Sequence, residues 1–234
     1  MSALVLVLLG LLQEPGGPQA PPPSAAVIRE EFRVEHLYPS FVVFGHPLLV
    51  RALELDEGQR AAADVLIDDW LVRTRALQER LAALGADERV RREELQRALV
   101  RERYELELAC RPLLSAPQRA RLREIALQLS GLRVFRDREL VVALGLSEAQ
   151  LESIQLEVAR VVERTALLTA RHRAGELTSA ALEAERRRGL ELALARALST
   201  LQSEQRAQLL RLQGEPVGFA REELVLNLAA PAAR

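Results

Sequence analysis

The feature that most constrains this chain is an internal duplication. "VFGHPLLVRALELDEGQ" (43–59) and "VFRDRELVVALGLSEAQ" (134–150) share Val43, Phe44, Leu49, Val50, Ala52, Leu53, Leu55, Glu57 and Gln59 with their counterparts at a constant offset of 91. The register runs on, with Arg73-Thr74 facing Arg164-Thr165 and Leu77 facing Leu168. "QRARL" (118–122) then resembles "QRAQL" (205–209) at an offset of 87, which needs only one shorter connection in the second copy. A unit of roughly ninety residues used twice points to helical segments packed on one another.

The residues between the matched phrases favour helix. Leu, Ala, Glu and Arg dominate, aromatics make up 3%, and Gly and Pro are confined to a few places; straight-chain residues and Ala lose little on entering a helix. In the first copy Asp56 caps a helix running to about Leu84, with Trp70, Leu77, Leu81 and Leu84 along one face. Gly85-Ala86 breaks it and Asp87 starts a second, whose stripe carries Leu95, Leu99, Leu106 and Cys110 and which Pro112 ends. Ser115 opens a short third segment with Leu122, Ile125, Ala126 and Leu129, closed by Gly131.

The second copy repeats the plan. Leu151, Ile154, Val158, Val161, Thr165 and Leu168 form a three-four stripe suited to antiparallel packing. Gly175 breaks it, residues 178–201 return with Leu190, Leu194, Leu198 and Leu201, and 203–213 form the short segment before Gly214. The expected fold is all-α: two tandem antiparallel helical-hairpin units of three segments each, forming an extended or cradle-like bundle. The expected divisions are a signal peptide and Pro-rich leader (1–27), a linker or extended segment (28–42), the two repeats (43–131 and 132–219) and a tail (220–234).

The repeated phrase itself marks helix starts. Ser147 and Gln150 have the spacing of a capping box, in which the hydroxyl accepts the N3 amide and the N3 side chain reaches back to the N-cap amide. Ser115 with Gln118 and Asp56 with Gln59 follow the same logic, and Gln205 holds the corresponding place in "LQSEQ" (201–205). These phrases also resemble the Leu-Thr-x-x-Gln motifs of the Spy/CpxP family of small exported helical proteins, most closely at 114–118 and 146–150. Asp56 replaces the hydroxyl at the first site and Gln202 at the fourth.

That resemblance implies a periplasmic, curved helical cradle, usually a homodimer, engaged in ATP-independent chaperoning or in restraint of a sensor kinase. The chain is longer than typical members and duplicated, so its two copies could supply within one chain the cradle that relatives build from two. Residues 3–12, "ALVLVLLGLL", are too short to span a bilayer and suit the core of a signal peptide. Export is therefore expected, with no stable membrane insertion after cleavage; a cytoplasmic helical scaffold is the alternative.

Other chemistries lack their residues. The basic set is entirely Arg, a composition that GC-rich coding explains before any special grip on anions, and a net charge of −1 offers no field for nucleic acid. The three histidines, His36, His46 and His172, have no metal-ligand spacing, and the single Cys110 allows no disulfide or Cys-based metal site. Asp64 and Asp68 lie one turn apart, an arrangement typical of a solvated face. Nucleophile and phosphate-loop motifs are missing, so no catalytic residue and no cofactor is expected. Arg89-Arg91-Arg92 and Arg186-Arg187-Arg188 are the densest basic clusters, each beside glutamates. In the chaperone reading, Arg186, Arg187 and Arg188 are candidate contacts for unfolded or membrane-protein clients. The competing class is a regulatory or sensor subunit acting on a membrane partner or a metal.

Overall fold

The computed structural model describes residues 37–85 and 87–220. The expected signal peptide, leader and C-terminal tail beyond Ala220, together with residues 28–36 of the linker, lie outside the described residues. Nine α-helices are described: α1 (Ser40–Gly45), α2 (Pro47–Ala52), α3 (Glu57–Ala82), α4 (Arg89–Cys110), α5 (Ala116–Leu129), α6 (Arg138–Leu144), α7 (Glu148–Arg173), α8 (Ser179–Ser199) and α9 (Ser203–Gln213). Short 3₁₀ turns occupy Arg111–Leu113 and Gly131–Arg136. Among the described residues there is no strand. The antiparallel pairs α3·α4 and α7·α8 are the two long hairpins.

The chain divides into two compact units, built on Tyr38–Leu122 and on Arg123–Pro216, with the division inside α5. In the first, Val43, Phe44, Leu49, Leu53 and Leu55 are buried beside the start of the hairpin, and Phe41 stacks on Trp70 with ring centroids 5.6 Å apart. Along α3 only Ala63, Trp70 and Thr74 are buried; along α4, Leu95, Leu106 and Cys110 are. Each such Leu is worth about 1.5–3 kcal/mol. A hairpin of two helices can bury one narrow seam and no more. The remaining face of each helix meets water.

The second unit follows suit. Val134, Phe135, Leu140 and Leu144 are buried where Val43, Phe44, Leu49 and Leu53 are in the first. Ile154 and Leu168 are buried on α7, while Val158, Val161 and Thr165 are half-buried along the same stripe. On α8 the seam departs from the expected leucines. Leu182, Ala193 and Ala197 are buried, whereas Leu190 is 44% exposed and Leu194 and Leu198 lie at the seam's edge. Small residues let the two backbones approach, and the leucine stripe is displaced by about a residue's rotation.

Turn chemistry matches between copies. Gly145 ends α6 in the left-handed conformation (φ 59°), and Glu54 at the matching position has φ 51°. His46 caps α2 by accepting from Leu48 N–H at 3.3 Å, and Asp137 caps α6 by accepting from Leu140 N–H at 2.9 Å. Helix α1 begins at Ser40, so the last residues of the expected linker are helical. Asp87 does not cap α4. Glu88 holds the N-cap position and its carboxylate accepts from Gly85 N–H at 3.1 Å. That backbone hydrogen bond, helped by Arg91, keeps the Glu88 carboxyl below its usual range.

Candidate functional site

The motif residues converge in each unit on a crossed pair of glutamine amides. In the first, Asp56 accepts from Gln59 N–H at 2.8 Å and Gln59 Oε1 accepts from Asp56 N–H at 3.1 Å, which closes the capping box. Gln59 Nε2 then donates to Leu113 O at 2.6 Å and to Gln118 Oε1 at 2.8 Å. Gln118 Oε1 also accepts from Ser115 N–H at 2.9 Å, and Gln118 Nε2 donates back to Gln59 Oε1 at 3.0 Å. Gln118 Nε2 further reaches Glu54 O at 3.4 Å.

The second unit repeats this crossing, with one further carbonyl contact. Gln150 N–H donates to Ser147 Oγ at 3.3 Å, and Gln150 Nε2 donates to Thr200 O at 2.9 Å and Gln205 Oε1 at 2.7 Å. Gln205 Nε2 reaches Leu144 O at 3.2 Å, Gly145 O at 3.3 Å and Gln150 Oε1 at 3.2 Å. Gln202 N–H donates to Gln205 Oε1 at 2.8 Å. One amide thus caps its own helix and ties that helix start to a distant loop. Primary amides do not titrate, so this clasp positions the hairpin and moves no proton. Residue spacing reveals the cap but not the crossing.

The three arginines 186–188 separate. Arg186 donates to Glu183 at 3.0 Å and to Thr169 Oγ1 at 3.0 Å, within its own hairpin. Arg187 and Arg188 face solvent. Of the other basic cluster, Arg89 pairs with Glu93 at 3.0 Å, Arg91 pairs with Glu88 at 2.8 Å, and Arg92 donates to the carbonyls of Leu84 and Gly85. Exposed pairs of this kind contribute at most about 1 kcal/mol each.

Several buried polar groups have structural partners. Asp137 is fully buried and holds Arg123 through two bonds, at 2.9 and 3.0 Å. Glu157, on the α7·α8 seam, meets Arg160 and, at 3.5 Å, Arg196. Glu107 accepts from Ser40 N–H at 2.8 Å and from its hydroxyl at 2.6 Å. Cys110 is fully buried, and desolvation pushes its thiol up to about 11. His172 is half-buried with Nδ1 2.8 Å from Leu177 O, and His46 is buried at the N-cap of α2. Asp64 and Asp68 stand exposed, and Asp69 pairs with Arg73. Among the described residues no group of three His, Cys, Asp or Glu is placed to hold a metal ion.

The surfaces open to a ligand are apolar ones edged by arginine. On α4, Val100 (61% exposed), Tyr104 (45%) and Leu108 (50%) follow one another at four-residue spacing, flanked by exposed Arg97, Arg101 and Arg111. Val65 and Vals 72 and 90 are also exposed on this hairpin. Between the distal ends of α3 and α4 lies an open groove of about 580 Å³, lined by Leu77, Leu84, Leu95 and Ala98 with Arg80, Arg91 and Glu94. On α7, Leu156 and Leu167 are exposed eleven residues apart, on one helical face. No described helix is long and apolar enough to cross a membrane. No family model matches the chain, and comparisons with curated proteins and with solved structures gave no match either.

Proposed function

We propose that this chain is a non-enzymatic helical binding protein that holds unfolded or partly apolar protein segments without nucleotide, as an exported chaperone or envelope-stress adaptor. The observation that carries this reading is the apolar surface of the α3·α4 hairpin. Val100, Tyr104 and Leu108 are exposed along one face of α4 among arginines, and a separate open groove lined by leucines lies on the opposite face, toward α3 at the tip of the hairpin. Apolar side chains scattered singly need no explanation, but a stripe in register along one helix marks an interaction surface. Arginine next to it can pair with carboxylates and stack on aromatic rings of a client, which gives breadth without a fixed sequence.

The finer architecture belongs to the same proposal: two tandem units of three segments forming an extended or cradle-like bundle, with export directed by residues 1–27. The test is suppression of light scattering by a chemically denatured client diluted into buffer at equimolar chain. The reading expects suppression without ATP, and a marked loss of it in Val100→Ser/Tyr104→Ser/Leu108→Ser, whose exposed substitutions leave the fold intact. Aggregation unaltered by the wild-type chain would sink the reading. Amino-terminal sequencing of protein recovered from the host's envelope should find a start near residues 20–27; an uncleaved start would remove export.

A further inference from the structure

We infer that the second unit contains a binding pocket for a short aliphatic carboxylate, formed where three charged residues of the first copy are replaced by leucine. A cavity of about 190 Å³ lies among Gly131, Val134, Leu194, Leu198, Leu209 and Leu210, with Arg206 also lining it. The internal duplication supplies the control. By the two offsets, Leu194, Leu198 and Leu210 stand where the first copy has Glu107, Arg111 and Arg123, and Gly131 stands where it has Ser40. In the first unit that place is a polar clasp: Ser40 donates both its N–H and its hydroxyl to Glu107. In the second, the hydroxyl and the carboxylate are both gone. What remains is an apolar hollow.

One charge is retained. Arg206 matches Arg119, whose guanidinium donates to the carbonyl of Leu114. The Arg206 guanidinium has no such bond among the described residues and is exposed at the edge of the hollow. The second copy therefore keeps the cation and drops the acid. Leu210 is 67% exposed and lines the hollow, while its neighbour Leu209 is buried. The far end is fixed by Gln128, which donates to Gln213 O at 2.5 Å and Glu215 O at 2.8 Å, and by Gln213, which donates to Leu127 O at 3.3 Å. A dry cavity of ~150 Å³ accepts a benzene ring, and this hollow, of comparable volume but open on one side, has room for an alkyl chain of similar bulk. Arginine at its edge selects a carboxylate head by a charge-assisted, bidentate bond.

This site does not depend on the chaperone proposal, because its readout is a small molecule rather than client aggregation. The test is calorimetric titration of the full chain with octanoate and with octan-1-ol, checked by circular dichroism for retained fold. Octanoate should bind saturably at one site and more tightly than the alcohol. Arg206→Gln should weaken octanoate by about tenfold and leave the alcohol unchanged. Leu210→Ser should weaken both, by about fivefold. Absence of saturable octanoate binding, equal loss for both ligands in Arg206→Gln, or binding only of a leucine-ended peptide would each overturn the assignment.

Discussion

Gln59 and Gln118 show how much one side chain can be asked to do. Each amide completes a helix cap and crosses to the other, so removing either leaves carbonyls and an amide partner unmet at a half-buried position. Gln59→Ala and Gln118→Ala should each lower unfolding free energy by about 2 kcal/mol. A double-mutant cycle in urea should give a coupling of about 1 kcal/mol, the signature of direct contact that independent caps would lack. Cys110 gives a second residue-level expectation. Its thiol is raised from an ordinary 9.0 to about 11 by burial, so native protein at pH 8 should react with a thiol reagent far more slowly than unfolded protein. A folded value above the unfolded one also fixes the sign of the pH effect. Stability from this group is present below pH 9 and declines as pH rises toward 11, because the unfolded chain releases its proton first. Replacement by Ala should remove that decline from the pH dependence of urea unfolding.

At the scale of elements, the matched turns of the two copies isolate a backbone effect. Glu54 and Gly145 share the left-handed conformation, and a Cβ at Gly145 would meet nothing within 4 Å. Conformation alone should therefore decide: Gly145→Ala should cost about 1 kcal/mol, and Glu54→Gly should stabilise by about 0.5 kcal/mol, read from denaturant midpoints. Much of this level was legible in the sequence. The three-four stripe of α7 and the glycine and serine punctuation placed the helix boundaries within a few residues, since periodicity and caps are local properties. The seam of α8 was not legible. Leucines at 190, 194 and 198 have a core spacing, yet Ala193 and Ala197 lie in the contact, because what packs is set by how closely α7 approaches. Glu157 escaped for the same reason: a glutamate on a stripe edge becomes buried only when Arg196 from α8 arrives beside it. Arg186 looked like surface charge, and its bond to Thr169 requires knowing which helix returns alongside.

At the scale of the whole molecule, duplication explains why so much of the site was readable and why its use was not. The residues repeated at constant offset include those of the clasp and the buried core, Gln59 with Gln150 and Leu49 with Leu140, which any copy of the unit must keep to fold. The exposed stripe of α4 has diverged: Tyr104 corresponds to Glu191 and Leu108 to Ala195. Function, in this account, lies in the part that the copies do not share. If the two units together supply the proposed binding surface within one chain, sedimentation should show a monomer; a stable dimer formed through the hairpin faces would contradict that. The most direct measurement is photo-cross-linking from position 104 to a denatured client during dilution from denaturant, with position 54, at the clasp, as control. Client adducts should form from 104 and none from 54. Equal labelling from both positions, or none from either, would contradict the claim that the α4 surface is where this protein binds.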